Sequence, residues 1–213
     1  MRERQGSAAV HDVVCERAVR VEMRDGIRLA TDLYFPARDG QAAPGCHPAL
    51  VERTPYSRQG LGAVATAKFF ARHGYVAALQ DVRGRYDSEG EWYPNAREAE
   101  DGFDTVEWLG TREWCDGKVG TIGLSYSGCN QHALATLAPP HLAAMFASEA
   151  MSNFHTASMR QGGAAELRFL VYALWMAADS PQALADPALR AAVQAESDNA
   201  EQWLRQAPLK PGV

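Results

Sequence analysis

Several features are scarce or missing in this 213-residue sequence. No uninterrupted apolar stretch is long enough to span a bilayer. Gly162 to Ala178 comes nearest, and Glu166 and Arg168 interrupt it. Residues 1 to about 12 are polar and lack the apolar segment of a secretory signal, so they read as a loose leader. The four cysteines, Cys15, Cys46, Cys115 and Cys129, form no C-x-x-C pair and have no metal-ligand spacing with histidines. They read as free thiols of an intracellular, cytoplasmic protein. Basic charge is not in excess: 21 Lys and Arg stand against 26 Asp and Glu, a net charge of −5. That excludes the electrostatic footprint of a nucleic-acid binder and a basic membrane face. There is no internal repeat and no low-complexity tract, and no metal or cofactor is expected.

What is present is ample apolar material, 46% of the chain, with an ordinary 22% of charged residues. That suits one domain with a small appended part. One stretch organises the rest: Gly123-Leu124-Ser125-Tyr126-Ser127-Gly128. Lys118 to Ile122 before it reads as a buried strand, and Cys129 to Ala138 after it as a helix. A serine at a strand-to-helix turn with small neighbours is the pattern of a nucleophile elbow. Side chains at Gly123, Ser127 and Gly128 must stay small where the turn crowds them. The helix N-terminus offers unpaired N–H groups to a developing oxyanion. Alternatively, the serine is an ordinary turn residue that caps a helix.

The remaining pattern is alternating. Val19, Val21 and Met23, then Ile27, Leu29, Thr31, Leu33 and Phe35, flank Asp25-Gly26 with period two, which predicts a hairpin. Pro36 to Pro48 reads as a loop and Ala49 to Glu52 as a short strand. Ala63 to His73 reads as a helix, Tyr75 to Gln80 as a strand, Glu98 to Leu109 as a helix, and Leu142 to Ala150 as a strand. Pro139-Pro140 stops the helix that follows Ser125. Strands and helices alternating at this length predict an α/β fold, a mostly parallel sheet covered on both faces and fed by an N-terminal antiparallel hairpin. No strand pattern follows Ala150. Helices over Ala164 to Ala178 and Pro187 to Gln206, the second broken near Ser197-Asp198, read as cap material. The expected division is a core over 13–153 and a helical segment over 154–213.

Four separated motifs then carry a resemblance. They are Arg53-Thr54-Pro55-Tyr56; Asp81-Val82-Arg83-Gly84-Arg85 with Ser88-Glu89-Gly90; Trp108 with Trp114-Cys115-Asp116-Gly117-Lys118-Val119-Gly120; and Gly123-Leu124-Ser125-Tyr126-Ser127-Gly128. Over about Val19 to Asn153 the chain resembles the cocaine esterase-like, X-Pro dipeptidyl-peptidase (S15) group of α/β-hydrolases. The resemblance implies Ser125 as acyl-accepting nucleophile, with the Tyr126 backbone N–H and the Tyr56 phenol as oxyanion donors. It implies esters, amides of small acyl groups, or N-terminal dipeptides as substrates. Ser127 stands where many members look bulkier. Without the resemblance, Tyr56 after Pro55 reads as a packed loop residue.

Other polar groups have plainer readings. Asp81, Arg83 and Arg85 either line a substrate pocket or form a salt-bridged strand-end loop, the second being simpler. Asp101 and Asp104 read as solvated or capping charges, Trp108 and Trp114 as core. Glu98, Glu100 and Asp101 read as a helix first turn favoured by the dipole.

A serine hydroxyl needs a base. In the resembling family the acid and the histidine follow the cap, well over a hundred residues past the serine. Here the chain runs 88 residues past Ser125, with His132, His141 and His155. Of these His155 alone is expected near the serine face, and surface histidine is the simpler reading for each. The family's acid, histidine and C-terminal β-sandwich are expected to be absent. The partners so implied are a small ester, amide or peptide substrate, and a complementing C-terminal chain or a second copy across the open sheet edge.

Overall fold

The computed structural model describes residues 8–156 and 158–205. The expected leader falls largely in 1–7, and the end of the last expected helix, Gln206, also lies outside the described residues. The chain divides into two compact units between Ala150 and Met151.

The first unit begins with strands β1 (Asp12–Glu22) and β2 (Arg28–Arg38), paired antiparallel. The Asp25-Gly26 turn joins them. Gly26 takes φ +82°, and the Met23 N–H donates to the Ile27 carbonyl at 2.8 Å. Alternation sends Val21, Met23 and Leu29 into one small cluster. The region 36–48 is more ordered than expected. β2 runs on to Arg38, and a second tight turn, Asp39-Gly40, leads into β3 (Gln41–Ala42), which pairs back onto β2. Both turn residues have positive φ, +53° and +77°, as a two-residue hairpin turn requires.

Then come β4 (His47–Thr54), α1 (Leu61–Arg72), β5 (Val76–Asp81), α2 (Glu98–Gly110), β6 (Cys115–Leu124), α3 (Tyr126–Ala135) and β7 (Leu142–Ser148). The sheet order is β1-β2-β5-β4-β6-β7. β5, β4, β6 and β7 are parallel to one another, and β2 meets β5 antiparallel. The connection through α1 moves across the sheet in one direction, and the connections through α2 and α3 in the other. Right-handed crossovers therefore place α1 on one face and α2 and α3 on the opposite face.

The core follows that division. Leu33, Val51, Ala78, Val119, Val106, Leu109 and Leu134 pack together under α2 and α3, with Trp108 and Trp114 against them, as their apolar character suggested. Tyr34, Ala77 and Leu79 face the other way and meet Ala67 and Ala71 of α1. The fold is the expected mostly parallel sheet with helices on both faces and an antiparallel pair of strands at its start. Phe70 joins the α1 cluster, whereas Phe69 is exposed, because the two adjacent residues cannot share one helix face.

The second unit is helical, with one exception to the expectation. β8 (Arg160–Gln161) and β9 (Ala164–Ala165) form a short hairpin across Gly162-Gly163, whose φ values of +56° and +90° suit glycine. That hairpin uses residues expected to be helical, so α4 spans only Arg168–Ala178. α5 (Pro181–Ala185) and α6 (Pro187–Asp198) each begin with proline after a capping side chain. Ser180 accepts from the Ala183 N–H, and Asp186 from those of Ala188 and Leu189. α7 (Ala200–Arg205) follows the break at Asn199. No described helix is long and apolar enough to cross a membrane.

Candidate active site

Ser125 is the single residue between β6 and α3. Its backbone lies at φ +56°, ψ −115°, where a side-chain-bearing residue is strained. The surroundings hold it there. Its N–H donates to the Ser148 carbonyl at 3.0 Å, and its own carbonyl accepts the first helical bonds from Gly128 and Cys129 at 2.9 and 2.8 Å. Small residues are demanded nearby. A Cβ on Gly123 would lie 2.5 Å from the Ser127 carbonyl oxygen, and one on Gly128 would lie 2.7 Å from the Ala150 Cβ. The Ser125 side chain is half-buried, so its hydroxyl keeps access to the carboxyl edge of the sheet.

Strain recurs along that edge. Ser57 has φ +82° just past β4, and Glu149 has φ +46° just past β7. Three neighbouring parallel strands thus end in sharply turned loops at one edge, where ligand sites of open α/β sheets are built. Tyr56 stands in the loop after β4, 36% exposed, with its N–H donating to Thr54 Oγ1 at 3.0 Å. The Pro55 carbonyl beside it accepts from Arg85 Nε at 3.1 Å. The Arg85 guanidinium lies 5.1 Å from the centre of the Trp92 ring and 5.2 Å from that of Tyr86.

Tyr126 opens α3 directly after Ser125. Its side chain is buried. Its phenol donates to Glu98 Oε1 at 2.8 Å and accepts from the Asn95 N–H at 2.9 Å. Burial first, and then the Glu98 charge, push this phenol far above the ordinary tyrosine pKa, so it stays a neutral donor. Glu98 Oε2 accepts from Arg53 Nη1 at 2.8 Å, and Arg53 Nε donates to Gln80 at 2.9 Å. Asn130 of α3 donates to the Arg53 carbonyl at 2.7 Å. These residues are buried polar groups with partners, and none was singled out for this role by the sequence. Glu98 had read as a dipole-favoured first-turn residue. It is instead 4% exposed and joins β4, α2 and α3.

The other expectations resolve as follows. Arg58 bonds Asp32 at 3.0 Å and Asp87 at 2.7 Å, and also pairs with Asp81. Burial disfavours its charge, but hydrogen bonds to Asp87, Asp32 and Asp81 outweigh that and raise its pKa. Arg83 bonds Asp101 at 2.6 Å and Asp25 at 2.8 Å. The Asp81–Arg85 segment is therefore an ion-paired strand-end loop. Asp101 and Asp104 are not solvated or capping charges, because each is held by an arginine from another element. Asp101 is buried against Arg83, and Asp104 meets Arg24 at 2.7 Å.

His141 immediately precedes β7, at the opposite end of the sheet, where Nδ1 meets Glu107 at 2.8 Å. His132 is seven positions past Ser125, about 10 Å along the helix axis. His155 is exposed and belongs to the second unit. Among the described residues no group of three His, Cys, Asp or Glu side chains is placed to hold a metal.

Beside this edge, on the α1 face, lies an apolar cavity of about 440 Å³ that includes Phe70, Ile122, Gly123, Phe146 and Ser148. Glu52 is its charged member. Burial raises the Glu52 pKa, and a hydrogen bond from Ser127 partly opposes the rise.

Ser125 thus stands half-buried on a strained turn at a helix N-terminus, and the loop bearing Tyr56 leaves the same edge of the sheet. Comparison with known proteins places the chain among hydrolases. Residues 25–211 match the family described as X-Pro dipeptidyl-peptidase (S15 family). The chain is 39% identical over 143 residues to the cocaine esterase of Rhodococcus sp. (strain MB1 Bresler), covering 65% of this chain and 24% of that protein. Among solved structures, a CocE/NonD family hydrolase from Staphylococcus aureus superimposes with a TM-score of 0.67 at 28% identity, over 79% of this chain and 34% of that one. An α-amino acid ester hydrolase gives 0.59 at 28% identity, over 74% of this chain and 28% of its own. An alpha/beta hydrolase from Penicillium sp. sh18 shares the fold, with a TM-score of 0.57 at 24% identity, over 76% of this chain and 53% of its own. The chain thus spans about a quarter of the length of the curated relatives it matches. Its fold is that of the α/β-hydrolases, and the chain belongs to the X-Pro dipeptidyl-peptidase (S15) family of hydrolases.

Proposed function

We propose that Ser125 is the nucleophile of a serine hydrolase acting on esters or amides of small acyl groups, N-terminal dipeptides included. The observation that carries this reading is the strained Ser125 backbone between β6 and α3, the conformation of a nucleophile elbow. Ser125 Oγ adds to the substrate carbonyl carbon and gives its proton to a base. The C–O or C–N bond then breaks, and the alcohol or amine leaves with a proton. Water releases the acid from acyl-Ser125 by the reverse sequence. The Tyr126 backbone N–H and the Tyr56 phenol hold the oxyanion, each contributing about 3 kcal/mol to lowering the barrier.

The base and its orienting acid come from outside the first unit, because His141 sits at the far sheet end and His132 two turns away. The partner supplying them is a C-terminal hydrolase segment carrying an acid and a histidine. Without it, catalysis falls to the residue left by binding and the oxyanion hole. The free thiols suit a reducing, cytoplasmic setting. The test is hydrolysis of p-nitrophenyl acetate and of a dipeptidyl-proline anilide. Turnover is expected only when the chain is joined to the C-terminal segment of a family member, and it is expected to vanish in Ser125→Ala. Turnover that survives Ser125→Ala overturns the reading.

A second reading, a non-catalytic binding module, is favoured by the placement of the first unit's histidines away from Ser125. Steady-state turnover by the 213-residue chain alone, lost in Ser125→Ala, rejects it.

A further inference from the structure

Two loops bear the proposed oxyanion donors. One follows β4 and carries Tyr56; the other joins β6 to α3 and carries Ser125 and the Tyr126 N–H. β4 and β6 pair directly only from His47 to Val51 on the β4 side. Past that point β4 runs on to the Tyr56 loop and β6 to the Ser125 turn. Asn130 of α3 bonds the Arg53 carbonyl directly, and one carboxylate from a third element bridges the side chains of the two ends. Glu98, first residue of α2, accepts the Tyr126 phenol on Oε1 and Arg53 Nη1 on Oε2, both at 2.8 Å. Arg53 is three residues before Tyr56, and Tyr126 is the residue that carries the other donor.

We propose that Glu98 is a positioning residue that fixes the spacing between the two oxyanion donors. The inference rests on the hydrolase reading above. Three features set Glu98 apart from an ordinary buried ion pair. Each of its oxygens serves a residue near a different donor, Arg53 at the end of β4 and Tyr126 at the start of α3. Further bonds hold both partners in place: Arg53 Nε donates to Gln80 at 2.9 Å, Asn130 of α3 donates to the Arg53 carbonyl at 2.7 Å, and the Asn95 N–H donates to the Tyr126 phenol at 2.9 Å. The circuit is buried, with Arg53 2% and Asn130 also 2% exposed, so water cannot replace a lost bond there. A displacement on either loop is therefore passed to the other through two charge-assisted or polar bonds rather than absorbed by solvent. Strand pairing stops short of the donors, and Glu98, with Asn130, holds the two ends in place beyond it.

The test joins two readouts on the chain joined to the C-terminal segment of a family member, which supplies the base. One is the rate at which an alkyl fluorophosphonate labels Ser125, since the phosphonyl oxygen occupies the oxyanion position. The other is backbone amide NMR over residues 54–58 and 125–128. Glu98→Gln keeps an acceptor for the phenol and loses the charged bond to Arg53. Tyr126→Phe keeps the Arg53–Glu98 pair and removes the phenol. Asp104→Asn, on the same helix but paired outward to Arg24, is the control.

Glu98→Gln is expected to slow labelling about 10- to 100-fold, the scale of a sub-ångström to ångström misplacement. It is also expected to shift amides in both loops together. Tyr126→Phe should shift both loops as well, and added to Glu98→Gln it should slow labelling no further. Asp104→Asn should change neither readout. Amide shifts confined to one loop, multiplicative slowing in the double variant, or an unchanged labelling rate with both loops shifted would each overturn the proposal. A wild-type chain that does not label, while both loops shift in Glu98→Gln, removes the hydrolase reading and keeps the Glu98 bridge. A chain that labels normally while only one loop responds does the reverse.

Discussion

β1 and β7 bound the same sheet, and each leaves one row of backbone donors and acceptors without a partner strand among the described residues. β1 is defended. It carries Glu16, Arg17, Arg20 and Glu22, and its register slips between Glu16 and Val19, where Ala18 takes φ +53°. Charges and a bulge are the devices that stop another strand from adding to an edge. Behind it, Asp32 of β2 is fixed by Arg58 and Arg17. β7 lacks the charges. Leu142–Ser148 contains no charged residue, its register against β6 slips once between Leu142 and Ala144, Met145 is 43% exposed, and Phe146 is 69% exposed over the apolar cavity. The first edge is finished by ionic contacts within the chain. The second resembles an interior strand left open. The proposed oxyanion loops lie between them, and their partners are supplied from the finished side: Arg53, Glu98 and Arg85 all reach toward the β4 and β5 ends.

The strongest way to break this contrast is to remove the ionic anchor of the β1 side. Arg58→Met leaves Asp81 buried without its cation and Asp32 with Arg17 alone, and a loss of about 3–5 kcal/mol in urea unfolding is expected. A loss below about 1 kcal/mol would show that the network is incidental. Next in size, Gly128→Ala should cost about 1–3 kcal/mol, since the new Cβ meets Ala150 and the Ser148 carbonyl where α3 crosses the end of β7. A neutral result would mean that the turn around Ser125 is looser than its contacts indicate.

Glu52→Gln sharpens the contrast through pH. Burial raises the Glu52 pKa above its ordinary 4.5, so the folded protein holds that proton more tightly than the unfolded chain. The folded state is therefore penalised as pH rises from 4.5 through the raised value. The variant should gain thermal stability at pH 7 and gain nothing at pH 4. A gain independent of pH would rule out the carboxyl as its source. Smallest in stability, Phe146→Asp should change unfolding by no more than about 0.5 kcal/mol, as for an exposed site. It should nonetheless reduce light scattering by concentrated protein, whereas Glu22→Ala on β1 should leave scattering alone. Equal effects at the two edges would erase the distinction.

Legibility in the sequence followed the range of the forces involved. The Asp25-Gly26 hairpin, the α2 periodicity and the strand–serine–helix turn at Ser125 depend on neighbours within a few residues, and their positions could be read. Asp39-Gly40 carries the same turn chemistry, but it lies in a stretch whose alanines and prolines read as loop, so β3 was missed. Gly162-Gly163 was missed in the same way inside an apolar run. Glu98 was legible as a helix first turn and illegible as a bridge, because its partners Arg53 and Tyr126 are 45 and 28 residues away. Nothing local marks a pairing made only once the sheet has closed. Tyr56 drew attention only through resemblance, because a tyrosine after proline has no local signature of oxyanion contact.

The central claim is that Ser125 is a nucleophile presented on a strained turn. Its most direct test is intact mass and peptide mapping after exposure to a fluorophosphonate probe, with the chain joined to a family member's C-terminal segment. The account predicts one adduct per chain, located on Ser125 and lost in Ser125→Ala. An adduct on another residue, or none at all in that complemented form, would contradict it.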